Sequence, residues 1–206
     1  MRRTRDGETT KTEVIDAAKV VFAKHGFAGT SLAMISEKSG ISDGLILHHF
    51  KSKENLYHVV LEELAAEYYA VIEQAGAEVQ NPQQAALMVL RAAFEYWQKD
   101  QAYSRISMWA YLEDRTEFVE QEFKLTADLA KTIAVMQENG QADTRFSPFV
   151  LLTMTIGPLH FWMRYHDLFK QATGYDGTLQ ELDQDFEEQF IRLVMKAYQP
   201  EGGFSE

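Results

Sequence analysis

The side chains best placed for chemistry lie in one short run, Thr30 to Lys53, which reads T-S-L-A-M-I-S-E-K-S-G-I-S-D-G-L-I-L-H-H-F-K-S-K. It mixes hydroxyls, glycines, histidines and lysines, groups that grip phosphates and base edges rather than break bonds. Bond-breaking chemistry finds little support elsewhere. His48 and His49 are adjacent and diverge around a helix, and His160 and His166 are six apart, which does not place them on one helical face. No H-E-x-x-H, nucleophile elbow or glycine-rich phosphate loop is present. Carboxylates are plentiful, but none pairs with a histidine at metal-ligand spacing, and Glu181–Glu188 reads as a solvated helix face. The expectation is therefore no catalytic residue, no metal and no cofactor.

The elements that position this run are helices. Strand patterning is poor throughout, so an all-α fold of about nine helices is expected. A capping box at Thr10-Lys11-Thr12-Glu13 opens the first, an apolar stripe of Val14, Ile15, Ala18, Val21 and Phe22 follows, and Gly26 ends it. A short helix from about Ser31 to Ser39 stops at Gly40, and a third covers about Asp43–Phe50. Two short helices joined through a glycine turn form a helix-turn-helix. Leu32, Ile35, Ile41, Ile46 and Phe50 supply its inner face. At 100° per residue, Gly44 and His48 then point outward, with Leu45 and Leu47 on the flanks. That outer face is what a DNA major groove would meet.

Longer helices follow. One runs from Lys53 to about Ala75, and the next opens at Asn81-Pro82. Others cover about Ala102–Glu113, Glu117–Asn139 and Pro148–Lys170, the last with a kink expected at Gly157-Pro158. A second capping box, Thr178 to Glu181, opens the final helix, which ends near Tyr198. The implied division is a helix-turn-helix domain over residues 1–52 and a larger helical domain over 53–206, for which the family resemblance described below implies ligand binding and dimerisation.

The net charge of −11 is unevenly spread. Residues 1–58 hold nine Lys and Arg against seven Asp and Glu, a net +2, with four of the six histidines. The remainder holds 11 against 24, a net −13. A weakly basic head on an acidic body suits a protein that presents one end to phosphate. Cysteine is absent, which excludes a disulfide framework and fits a cytoplasmic protein. The opening M-R-R-T-R-D-G-E-T-T-K-T-E-V has no apolar stretch after its arginines, so no leader is expected, and Phe149–Met163 is too short and interrupted for a membrane span.

From about Val14 to Tyr57 the chain resembles the N-terminal domain of the TetR/AcrR family of repressors. The matching pieces are Ala17-Ala18, Phe22, Gly26, Thr30-Ser31, Ile35-Ser36, Gly40-Ile41-Ser42-x-Gly44, His49-Phe50 and Lys51-Ser52-Lys53-Glu54-x-Leu56-Tyr57. The resemblance implies a homodimer on a pseudo-palindromic operator of double-stranded DNA. It also implies a cavity for a small-molecule effector in the later helices and a dimer contact from the last two, with ligand releasing the operator. A degenerate helix-turn-helix protein, acting through ligand or protein contacts without strong DNA binding, is the alternative.

The resemblance assigns roles residue by residue. Thr30 and Ser31 open the second helix, where hydroxyls and free N–H groups hold phosphate. Ser42 caps the recognition helix, Gly44 admits the DNA backbone, His48 faces base edges or phosphate, and Lys53 resembles the family's phosphate-binding lysine. Two positions depart from the pattern. Asp43 stands where a basic or neutral residue is usual. It reads as a first-turn acid favoured by the helix dipole, as an acceptor for a cytosine amino group, or as a source of repulsion from phosphate. Leu47 replaces a usual tyrosine, and with Leu45 it can touch thymine methyls, pack on the first helix or sit singly exposed. The tail Arg2-Arg3-x-Arg5 can reach a minor groove or simply solubilise the end.

In the acidic body, aromatic residues and methionines are dense. Trp97, Met108, Trp109, Leu112 and Phe161 are the expected wall of an apolar pocket for a flat or greasy effector; each is equally readable as ordinary core. Arg105 and Arg164 stand in apolar surroundings, as partners for an anionic ligand or for neighbouring acids.

Overall fold

The computed structural model describes residues 7–77, 79, 81–115 and 120–199. The arginine tail lies outside them. Nine α-helices are found among the described residues, and no strand. They are α1 (Gly7–His25), α2 (Leu32–Ser39), α3 (Asp43–Phe50), α4 (Lys53–Ala77), α5 (Pro82–Lys99), α6 (Ala102–Leu112), α7 (Glu120–Glu138), α8 (Pro148–Thr173) and α9 (Leu179–Ala197).

The chain divides into two compact units, Met1–Glu67 with Asp100–Glu122, and Tyr68–Lys99 with Phe123–Glu206. The sequence motif suggested a division at residues 52 and 53. Compactness instead groups the first part of α4, and all of α6, with the head.

In the first unit α1 packs against α2, α3 and α6. Val14, Ala18, Phe22, Ile35, Ile46, Leu56, Tyr57, Val60, Leu64 and Ile106 are completely enclosed there. Ile41 and Phe50 join them, whereas Leu32 is only half-buried. Local caps fix where each short helix begins and ends. Ser31 accepts from the Met34 N–H, and Gly40 closes α2 in the left-handed conformation at φ 70°. Ser52 accepts from the Asn55 N–H at 3.0 Å and so starts α4. The capping box expected at Thr10 does not form. α1 already begins at Gly7, and Thr10 is buried on its inner face, so its side chain packs instead of capping.

In the second unit α9 packs on α5 and α8. Asn81 Oδ1 accepts from the N–H groups of Gln83 and Gln84 and opens α5. The Thr178–Glu181 capping box forms as expected and opens α9. α8 runs through Pro158 without a break in helical assignment. The core is built from Leu90, Phe94, Trp97, Ile133, Leu159 and Phe190, among others. The loop before α8 is tied down: Asp143 is buried, its carboxylate clamped by Arg145, and its N–H donates to the Tyr198 carbonyl.

Gly26 and Gly40 separate two costs of a side chain at a left-handed position. Both have φ near +70°. A Cβ at Gly40 would meet nothing within 4 Å, but one at Gly26 would lie 2.5 Å from Glu113 Oε1 and 2.9 Å from the Trp109 ring. Gly40→Ala is expected to cost about 1–2 kcal/mol, the conformational cost alone. Gly26→Ala is expected to cost about 1–3 kcal/mol more, through overpacking. Urea unfolding midpoints of the two variants check this order.

Candidate nucleic-acid interface and cavity

α3 is the centre of the first site. Ile46 and Phe50 are its buried residues, so one side is anchored in the core. Ser42, Asp43, Gly44, Leu45, Leu47 and His48 are all exposed on the rest of it, and His49 is half-buried. Leu45 and Leu47 expose about 40% of their surface, which does not fit packing on α1. Ser42 precedes the helix with an extended backbone but makes no side-chain cap, so its hydroxyl is not engaged by α3. Gly44 has no backbone need for glycine, and a Cβ there would meet nothing within 4 Å. Its effect is to leave bare backbone on the outer face. Asp43 lies in the first turn of α3, where the helix dipole favours an acid.

Not every residue assigned to phosphate is free for it. The Thr30 hydroxyl is buried and donates to the Gly26 carbonyl at 2.6 Å. Lys53 turns inward as well. Its ammonium donates to the carbonyls of Phe27 and Thr30, each at 2.7 Å, and sits 4.1 Å above the Phe27 ring. Partial burial lowers its pKa below the usual lysine range. Ser31 is exposed but caps α2.

Two residues that the sequence reading passed over complete this turn. The Glu113 carboxylate, just past α6, accepts from the N–H groups of Phe27 and Ala28, each at 3.0 Å. Arg115 lies over the Phe27 ring at 3.8 Å and pairs with Glu54. Arg105, expected beside an anionic ligand or a neighbouring acid, donates to the Ala23 carbonyl at 3.0 Å. No local sequence signal marks these contacts, because their partners lie at least 61 positions away.

The second site is a cavity of about 300 Å³ within the second unit, walled by residues of α4, α5, α7, α8 and α9. Of the five expected wall residues only Trp97 reaches it. Met108, Trp109 and Leu112 belong to α6, whose buried face (Tyr103, Ile106 and Ala110) goes into the first unit. Leu112 and Phe161 are largely exposed, the Phe161 ring meeting Tyr165 and Phe169 instead. The wall missed by the sequence reading includes Tyr68, Ile72, Val89, Ile133, Met136 and Tyr198. The apolar stripe of α5 marks the Val89 side as inward, but the other residues lie on α4 and α7 and just past α9, and no local pattern joins them. Tyr68 stacks on Trp97 at 5.6 Å, and His160 lies 4.3 Å from the same indole. No group of three or more His, Cys, Asp or Glu that could hold a metal occurs among the described residues.

The described residues thus combine a helix-turn-helix head with a body of longer helices. Residues 14–60 match the family model described as bacterial regulatory proteins, tetR family, so the likeness to that family lies in the head. The HTH-type transcriptional repressor AcnR of Corynebacterium glutamicum is 36% identical over 67 residues, 32% of this chain and 36% of that protein. The HTH-type transcriptional repressor NicS of Pseudomonas putida is 28% identical over 95 residues, 46% of this chain and 45% of that protein. The chain therefore matches between about a third and a half of the length of these curated relatives. Among solved structures, the putative transcriptional regulator SCO4942 from Streptomyces coelicolor superposes with a TM-score of 0.73 at 20% identity, over 92% of this chain and 98% of that one. The transcriptional regulator FadR from Bacillus subtilis, in complex with stearoyl-CoA, gives 0.71 at 17% identity, over 91% and 99%. These likenesses extend the fold over the whole body. The named relatives are transcriptional regulators rather than enzymes.

Burial pushes the His160 imidazole down to about 4, with the Arg164 charge adding to the shift. A lowered histidine pKa means that below about pH 6.5 the unfolded chain takes up a proton that the folded one refuses. Stability is thus intact above pH 6.5 and is lost as pH falls toward 4. Between pH 7 and pH 5 the native chain is expected to lose about 2 kcal/mol more than His160→Gln. Urea titrations of both proteins at the two pH values measure the difference.

Proposed function

We propose that this chain is a cytoplasmic, ligand-responsive transcriptional repressor that binds a pseudo-palindromic operator in double-stranded DNA as a homodimer. A small, apolar or aromatic effector held in the cavity releases it. The observation that carries the reading is the outer face of α3. Asp43, Gly44, Leu45, Leu47 and His48 stand exposed on a helix anchored by Ile46 and Phe50, with bare backbone at Gly44. That is the form of a helix that enters a major groove. Ser31 and Ser42, exposed at the starts of α2 and α3, serve phosphate in this reading. Thr30 and Lys53 serve it indirectly, by fixing the turn on which α2 begins.

A second reading, ligand or protein binding without strong DNA affinity, is favoured by two observations. The Lys53 ammonium is engaged by two carbonyls, and an acid, Asp43, opens the recognition helix.

Gel shifts with the DNA upstream of the chain's own gene separate the two. His48→Ala is expected to weaken operator binding about tenfold through a lost groove contact. Lys53→Met is expected to lower stability yet leave the salt dependence of binding unchanged. A direct phosphate contact would instead reduce that slope by about one. Absence of binding to any palindromic upstream site at low salt would leave the second reading.

The dimer reading rests on the α8–α9 face. A groove of about 770 Å³ there is lined by Met154, Pro158, Trp162, Phe186 and Leu193. Met154 and Leu193 expose 68% and 66% of their surface. A contiguous apolar face on two helices suits a two-fold contact with a second copy. Leu193→Glu is expected to convert a dimer to a monomer at micromolar concentration, read as a halved mass by light scattering.

A further inference from the structure

The cavity wall carries more chemistry than an apolar lining needs. Among the described residues, no Lys, Arg, His, Asp or Glu lines it. Most of its polar side chains are already engaged. Gln83 donates to the Gln141 carbonyl at 3.1 Å, and Thr132 to the Asp128 carbonyl at 3.1 Å. Thr155 donates to the Leu151 carbonyl at 2.8 Å and shares a 3.3 Å contact with the Tyr198 hydroxyl.

Trp97 is the exception. Its side chain is 97% enclosed, and its indole N–H is buried with no hydrogen-bond partner. A buried donor left unmet is costly and rare in a folded protein. Both ring neighbours, Tyr68 and His160, crowd the indole without accepting from that nitrogen. The wall residue Trp97 thus carries a buried donor without a partner, in mainly apolar surroundings.

We infer that the cavity selects a neutral, mainly apolar molecule bearing one hydrogen-bond acceptor, such as a ketone or ester carbonyl, which the Trp97 N–H meets. An anionic ligand is selected against. A carboxylate would enter with no facing cation and would give up its hydration unpaid. His160, the imidazole beside Trp97, is neutral at physiological pH and supplies no charge. The flat indole, with Tyr68 stacked on it, favours a planar body.

This inference rests on the reading of the cavity as an effector site, and it is tested without DNA. Equilibrium dialysis of the full chain at pH 7.5 compares three probes of one shape: 2-acetylnaphthalene, 2-ethylnaphthalene and 2-naphthoate. The ketone is expected to bind at least about a hundredfold more tightly than the carboxylate, since an unpaired buried charge costs several kcal/mol. Trp97→Phe, which keeps the ring and removes the N–H, is expected to weaken the ketone about five- to tenfold. It should leave the hydrocarbon unchanged, which also shows that the variant is folded. Carboxylate binding equal to the ketone overturns the inference. So does an equal effect of Trp97→Phe on ketone and hydrocarbon, or binding of none of the three up to their solubility limits. Ketone binding that leaves operator affinity unchanged would refute the effector reading while leaving the ligand class standing.

Discussion

The head depends on a pinned turn. Between α1 and α2 the chain must reverse within a few residues, and backbone groups in so tight a bend have few partners of their own. Here they are met from a distance. Glu113 takes the N–H groups of Phe27 and Ala28, and Lys53 fills the carbonyls of Phe27 and Thr30. The Thr30 hydroxyl closes back on Gly26, and Arg115 covers the Phe27 ring. Two segments remote in sequence, the start of α4 and the stretch just past α6, thus converge on one loop, and α2 starts where that loop ends. The placement of α3 follows, because α2 and α3 share the Ile35, Ile41 and Ile46 core beneath them.

This arrangement changes the meaning of two residues. Thr30 and Lys53 are polar residues beside a candidate phosphate site, and their types suit contact with an anion. In the fold their polar atoms face backbone. A lysine with two carbonyl acceptors and an aromatic face beneath it is a structural clamp, and its charge is partly desolvated for that reason. The outer surface of α3 is left with a histidine, a serine hydroxyl before it, two leucines and an acid. If this surface meets DNA as proposed, it has shape and methyl contacts to read with more than charge.

The helices themselves were legible from local chemistry. Ser31, Gly40, Ser52, Asn81 and Thr178 each fix a helix end through bonds spanning two to four residues, and periodicity separates Ile46 and Phe50 from Gly44 and His48. The Thr10 box was misleading for a physical reason. A threonine inside a helix can bury its methyl as readily as cap a terminus, and nothing in four residues distinguishes the two. The cavity was legible only at Trp97. Amphipathic spacing says which face of α6 is buried but not against what, so Met108 and Trp109 looked equivalent to Trp97 until their partner elements were known. Glu113 gave no signal at all, since a carboxylate that serves backbone 85 residues away looks like any surface acid.

The three tryptophans end up in three distinct settings. Trp109 lies against Gly26 beside the pinned turn. Trp97 walls the cavity with its N–H unbonded. Trp162 stacks at 4.1 Å on Phe186 and donates to Asp183 at 2.8 Å on the α8–α9 pair. Indole emission shifts with the polarity and hydrogen bonding around the ring. The chain therefore carries, without labels, one optical reporter for the turn, one for the cavity and one for the α8–α9 face. Replacing any two tryptophans by phenylalanine would leave a single-site spectrum for the third.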